Sequence, residues 1–154
     1  MSTNWHNDQK AMMRAFGQTT DKIDLGQANL YLSLILEELR EMLLAANPIA
    51  VHSINDSIQG LQAVAHVAYN CDSVELLDGI VDILVVTLGL GVSLNFDMAQ
   101  AWDAVHASNM AKVDQETGSV RRRPDGKVLK PAGWKPPTET LRRLVFEAGH
   151  PVKV

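Results

Sequence analysis

The chain has 154 residues, enough for one domain with a real core, and an apolar share of 46%, ordinary for a globular protein. Fourteen basic against eighteen acidic residues leave a formal charge of −4, which offers no global attraction for a nucleic-acid polymer or an anionic lipid surface. Cys71 is the single cysteine, so no intrachain disulfide forms, as suits a reducing cytoplasm, and the polar start MSTNWHNDQK is expected to carry no signal peptide.

In chain order, residues 8–16 (DQKAMMRAF) predict a short helix closed at Gly17, a residue suited to a C-terminal cap. After the polar connection QTTDKIDLG, residues 27–46 predict a long helix that stops at Asn47-Pro48, because proline disfavours helix in the residue before it. Asn47 can cap a next helix with Pro48 at its first position, and that helix is expected to reach Tyr69. Its apolar stripe would be Ile54, Ile58, Leu61, Val64, Ala65 and Ala68. A loop at 70–73 leads into a helix over 74–91. The apolar run 83–94 is only about a dozen residues long, where a membrane span needs roughly 20, so it reads as a buried helix and not as a membrane segment. Asp97 suits the N-cap of a last long helix, 98–113. Beyond Asp114, glycine and proline become frequent. Asp125-Gly126 suggests a tight turn in a two-stranded hairpin, and 138–148 one more short helix. Arg121-Arg122-Arg123 reads as a solvated loop, the alternative being contact with phosphates in a partner subunit's site. The expectation is an all-α bundle of four to five helices, with a helical catalytic region at 1–115 and an irregular arm at 116–154 belonging to the same domain.

Two stretches carry the chemistry. LILEELREML, residues 34–43, sets Glu37, Glu38 and Glu41 in a run otherwise almost wholly leucine, isoleucine and methionine. VELLDGIVDILVVTLGLG, residues 74–91, has only Glu75, Asp78 and Asp82 as charges. At about 100° per residue, Glu38 and Glu41 fall about 60° apart with Glu37 beside Glu41. Glu75 and Asp82 nearly align, with Asp78 about 60° away. Like charges this close repel, and burial beside leucines raises the cost. Between Lys22 and Arg121 the only lysine or arginine residues are Arg40 and Lys112, and Arg40 projects away from Glu38 on the wheel. An oxygen-only donor set suits Mg²⁺, with Mn²⁺ as its substitute, better than zinc, which prefers cysteine and histidine. The two sets are therefore expected to face each other across a divalent metal site. The plain alternative is a solvated helix face. Such a face would also carry lysine, serine or glutamine, whereas here the sides away from the acids are apolar, as in a helix covered by several neighbours or by another subunit.

These residues are where a family resemblance enters. Glu37-Glu38-Leu39-Arg40-Glu41 and Glu75-Leu76-Leu77-Asp78-Gly79-Ile80-Val81-Asp82 resemble the two acidic clusters of the all-α NTP pyrophosphohydrolase superfamily. That superfamily holds the MazG-like proteins, the dimeric dUTPases and the phosphoribosyl-ATP pyrophosphohydrolases. The run His106-Ala107-Ser108-Asn109-Met110-Ala111-Lys112, the run Gly126-Lys127-Val128-Leu129-Lys130-Pro131 and Gly133-Trp134-Lys135-Pro136-Pro137 are similar to the C-terminal part of single-domain MazG-like proteins, as Ala15-Phe16-Gly17-Gln18 is to their start. The second cluster is usually E-x-x-D, which Glu75-x-x-Asp78 fits. Were Asp82 the final aspartate, Gly79 would stand where the family has an acid, and Asp78 would substitute.

The resemblance implies a cytoplasmic enzyme that hydrolyses a nucleoside triphosphate or its deoxy form to the monophosphate and pyrophosphate. Glu38, Glu41, Asp78 and Asp82 would be the Mg²⁺ ligands, with Glu75 close behind. Glu37, rotated about 100° from Glu38, is the candidate to position or deprotonate the attacking water. Asn109 and Lys112, three apart on one helix, would reach the phosphates or the sugar, Trp134 the base, and Gln18 a base edge. Helices this apolar imply a homodimer or a dimer of dimers. The rival readings are a phosphoribosyl-ATP pyrophosphohydrolase and a non-catalytic helical interaction module.

Overall fold

The computed structural model describes residues 4–124 and 127–152. Among the described residues the chain is all-α: α1 (Trp5–Ala15), α2 (Leu25–Ala46), a single 3₁₀ turn (Pro48–Ala50), α3 (Val51–Val64), α4 (Ser73–Ser93), α5 (Met98–Met110) and α6 (Thr138–Glu147), with no strand. They fall into two compact units, Met1–Thr20 with Leu77–Val154, and Asp21–Leu76.

The second of these is a helical hairpin. Asp24 starts α2 by accepting the Gln27 N–H at 2.9 Å, which satisfies one of the orphan donors of a helix start. α2 packs along α3, with Leu36 and Ile58 buried between polar ties. Arg40 Nε donates to Asn55 Oδ1 at 2.7 Å. Two expectations are corrected here. Asn47 makes no side-chain cap, and Pro48 opens a 3₁₀ turn before α3 instead of α3 itself. α3 also ends at Val64 and not near Tyr69. The reason is a competing acceptor: the Val67 N–H donates to Asn29 Oδ1 at 2.6 Å, and Ala65 takes an extended conformation. Of the expected stripe only Ile58 is fully buried, while Leu61 and Val64 lie exposed.

In the other unit α5 packs on α1 and α6. Asn4 caps α1 by accepting from the Asn7 N–H at 3.1 Å, so that helix starts earlier than expected. Trp5 stacks on Trp102 at 5.3 Å between centroids, and Trp102 Nε1 donates to Asp8 Oδ2 at 3.0 Å. Asp97 caps α5 as expected, through the Gln100 N–H at 2.9 Å. α6 buries Leu144. The arm before α6 is anchored to α5: Trp134 Nε1 donates to the Ser108 carbonyl at 2.8 Å, and Ser108 Oγ donates to the Lys135 carbonyl at 3.2 Å. Gly133 makes the turn with φ +79°, where a side chain would be strained. The turn expected at Asp125-Gly126 lies outside the described residues; on either side of it Arg122 and Val128 form an isolated antiparallel bridge. Arg122 is not merely solvated, since its Nη2 donates to the Phe16 carbonyl at 2.7 Å, at the end of α1.

α4 departs most from expectation. It spans Ser73–Ser93, 21 residues, close to the expected 74–91, and is long and apolar enough to cross a membrane by length and composition alone. It was expected to be buried, yet only 6% of its most apolar window is. Leu77 is 63% exposed, Val86 66% and Val92 73%. Among the described residues of the unit that holds its Leu77–Ser93 part, no other helix packs along it; Gly91 is its buried residue, closed over by the Met98 side chain.

Ile58→Ala, which empties a buried site, should lower stability by about 2–4 kcal/mol, and Asp24→Ala by about 1 kcal/mol through the lost cap. Urea unfolding at fixed protein concentration checks both.

Candidate metal and nucleotide site

α2 brings Glu37, Glu38 and Glu41 onto neighbouring positions of one helix, all three solvent-exposed. Burial, then Glu41, then Glu37, raise the Glu38 carboxyl above the usual range; the helix repeat forces the like charges together. The one base in the stretch is used elsewhere, since Arg40 reaches across to Asn55. On α4, Asp72 organises the start by accepting from the N–H groups of Val74 and Glu75 at 3.0 and 3.2 Å. Glu75, Asp78 and Asp82 follow, all exposed. Among the described residues no lysine or arginine pairs with any of these six carboxylates. Also among the described residues, no group of three or more His, Cys, Asp or Glu side chains is gathered tightly enough to hold a metal ion. Each set thus stands on its own helix as a row of carboxylate oxygens without a counter-charge. That donor set fits a hard divalent cation such as Mg²⁺ or Mn²⁺.

A second constellation gathers at the end of α5. Lys112 Nζ donates to Asn109 Oδ1 at 2.8 Å and lies 5.6 Å from the centroid of the Trp134 ring. The three sequence candidates Asn109, Lys112 and Trp134 are therefore neighbours. Gln18 lies past the end of α1, its backbone N–H bonded to the Met13 carbonyl at 2.9 Å. Lys130, which sequence reasoning passed over as a site, also faces Trp134, with its Nζ 4.2 Å from the centroid. The signal was present as Lys130 and Trp134 four residues apart, but Pro131 and Gly133 between them exclude a helical i, i+4 reading. Burial first, and then the Lys130 charge, lower the Lys112 ammonium below its ordinary range. Beside Trp134 a groove of about 500 Å³ runs between α5 and the arm, lined by Ala104, Ala107, Ala111, Pro131 and Pro137 among others. His106 is occupied differently: its ring stacks parallel to Trp102, 6.4 Å between centroids.

The sequence pattern of the phosphoribosyl-ATP pyrophosphohydrolase family matches residues 10–109, which include both acidic stretches. No curated protein matches the chain. Among solved structures the chain is similar to a protein of Exiguobacterium sp. 255-15, described as a candidate NTP pyrophosphohydrolase. The TM-score is 0.68 and the identity 21%, over 96% of each chain. That likeness shows the fold, and the family pattern, spanning well over half the chain, shows the lineage. The chain belongs to the phosphoribosyl-ATP pyrophosphohydrolase family, within the MazG-like, all-α superfamily of NTP pyrophosphohydrolases.

Proposed function

We propose that the protein is a cytoplasmic, Mg²⁺-dependent nucleoside triphosphate pyrophosphohydrolase that releases the monophosphate and pyrophosphate, and that it works as a homodimer or a dimer of dimers. The observation that carries this is the unpaired Glu37-Glu38-Glu41 row on an otherwise apolar α2, with the Glu38 proton held more tightly than usual. A second reading follows from the description of the matching family pattern, with phosphoribosyl-ATP as the substrate and the same bond cleaved. Pyrophosphate release from canonical and modified dNTPs, NTPs and phosphoribosyl-ATP decides between them.

Bound Mg²⁺ would polarise the phosphoryl oxygens and acidify a water. Glu38 and Glu41 on α2 and Asp78, Asp82 and Glu75 on α4 are the ligands we assign. Glu37 takes the proton of the water that attacks the α-phosphorus, so that its carboxylate becomes a carboxylic acid as the P–O bond to pyrophosphate breaks. Lys112 and Asn109 hold phosphate or sugar oxygens, Trp134 offers a flat apolar face to the base, and Gln18 an amide for a base edge.

The oligomer is supported by α4. Its exposed leucines and valines form too large an apolar surface for water. A bilayer would have to accept Asp78 and Asp82 within the same helix, a costly burial of charge. A second copy of the chain covers the apolar faces and leaves the acids to the site.

Four outcomes follow. Glu37→Gln should reduce turnover by about 10²-fold or more while nucleotide binding stays nearly intact; unchanged turnover removes Glu37 from its role. Calorimetry at neutral pH should show Mn²⁺ binding that Glu38→Gln and Asp78→Ala weaken, and a wild-type protein that takes up no Mn²⁺ is not this enzyme. Because the Glu38 carboxyl is raised in the folded chain, its contribution to metal-free stability is fully present below the ordinary glutamate range. It is lost as pH rises through the raised value. Mn²⁺ affinity should therefore fall as pH drops through that same window, and Glu38→Gln should stabilise the metal-free protein at pH 7, by about 0.2–0.5 kcal/mol for each like-charge pair removed. Light scattering should give two or four times the chain mass of 16.9 kDa, and Val86→Asp should lower it; a wild-type monomer refutes the oligomer.

A further inference from the structure

The pair of ammonium groups at Trp134 has no counter-ion among the described residues. Lys130 Nζ and Lys112 Nζ lie 4.2 and 5.6 Å from one ring centroid, and among the described residues no carboxylate pairs with either. The indole attracts each cation by its quadrupole, worth about 0.5–1 kcal/mol at an exposed site. Two like charges brought to one ring also repel each other. The hydrogen bonds of this corner hold it in place. Asn109 Oδ1 takes one N–H of Lys112, leaving that ammonium two further donors. Trp134 is fixed from its far end by the Ser108 carbonyl, and Ser108 in turn holds the Lys135 carbonyl. Lys112 is half-buried, so its charge is partly stripped of water. The corner is thus an anchored aromatic plate carrying two cations that lack an anion among the described residues.

We propose that Lys112 and Lys130, held on the Trp134 ring, form a metal-independent clamp for the pyrophosphate end of the substrate, with Lys130 as its second, previously unassigned arm. Two separate ammonium groups match two separate phosphoryl groups of one ligand, whereas a single phosphate or a carboxylate satisfies one arm and leaves the other charge facing it. The identity of the anion as pyrophosphate rests on the pyrophosphohydrolase reading above; the presence of an anion site does not.

The test is calorimetric titration of the full chain with inorganic pyrophosphate in EDTA, with orthophosphate as the comparison. Wild type should bind pyrophosphate, and more tightly than orthophosphate. Lys130→Gln and Lys112→Gln should each lower the affinity by about tenfold or more, the size of a lost charge-assisted hydrogen bond. Lys130→Arg should retain most of it, and the exposed Lys127→Gln should leave it unchanged. Lys130 is itself exposed, so its variants test the site without disturbing packing. No metal-free pyrophosphate binding, equal affinity for orthophosphate, or an unaffected Lys130→Gln each overturns the clamp. A protein that turns over nucleotides but fails this titration loses only the clamp. One that binds pyrophosphate but hydrolyses nothing keeps the clamp and loses the enzymatic reading.

Discussion

Carboxylates on a hydrocarbon helix set the terms for the rest of this molecule. α2 places three glutamates where the helix repeat forces them within reach of one another, and the nearest base, Arg40, is engaged by Asn55. Burial first, and then the charges of Glu41 and Glu37, hold the Glu38 proton more tightly than a free glutamate would hold it. α4 repeats the arrangement with Glu75, Asp78 and Asp82, again without a base of its own. On the function proposed above, the two rows serve a polyanion, since a bound cation would join carboxylates to phosphates.

The second constraint is apolar area. The described core is small: Leu36, Ile58 and Leu144 are its buried large apolar side chains, while α4 presents leucine and valine around most of its surface. A helix that is apolar on all sides is a component of something larger than the packing it makes in one chain. The all-α family fold and the proposed oligomer are consistent with one another on this point, because a bundle helix needs neighbours on every side.

The arm after α5 has a different logic. It makes no strand among the described residues, only isolated bridges, and owes its position to side-chain bonds. Trp134 is the pivot: its indole N–H fixes the arm to α5, and its ring gathers Lys112 from the helix and Lys130 from the arm. One residue thereby sets both the local fold and the local electrostatics.

The sequence by itself determined the helices and the candidates for chemistry. Period, caps and breakers act over a few residues, so α2, α5 with its Asp97 cap, and α6 are legible, and so is the clustering of acids on α2 and α4. The E-E-x-x-E run and the N-x-x-K and GWKPP runs carried the family. Tertiary structure decided what depends on partners distant in the chain. Asn29 takes the Val67 N–H, 38 residues away, and ends α3 early. Phe16 receives Arg122 across 106 residues. Lys130 meets Lys112 only because the Pro131–Gly133 turn folds the arm back onto Trp134. A sequence displays local periodicity directly, but it does not display which donor reaches a competing acceptor once the chain has folded, and that competition fixed the helix ends and the lysine pair.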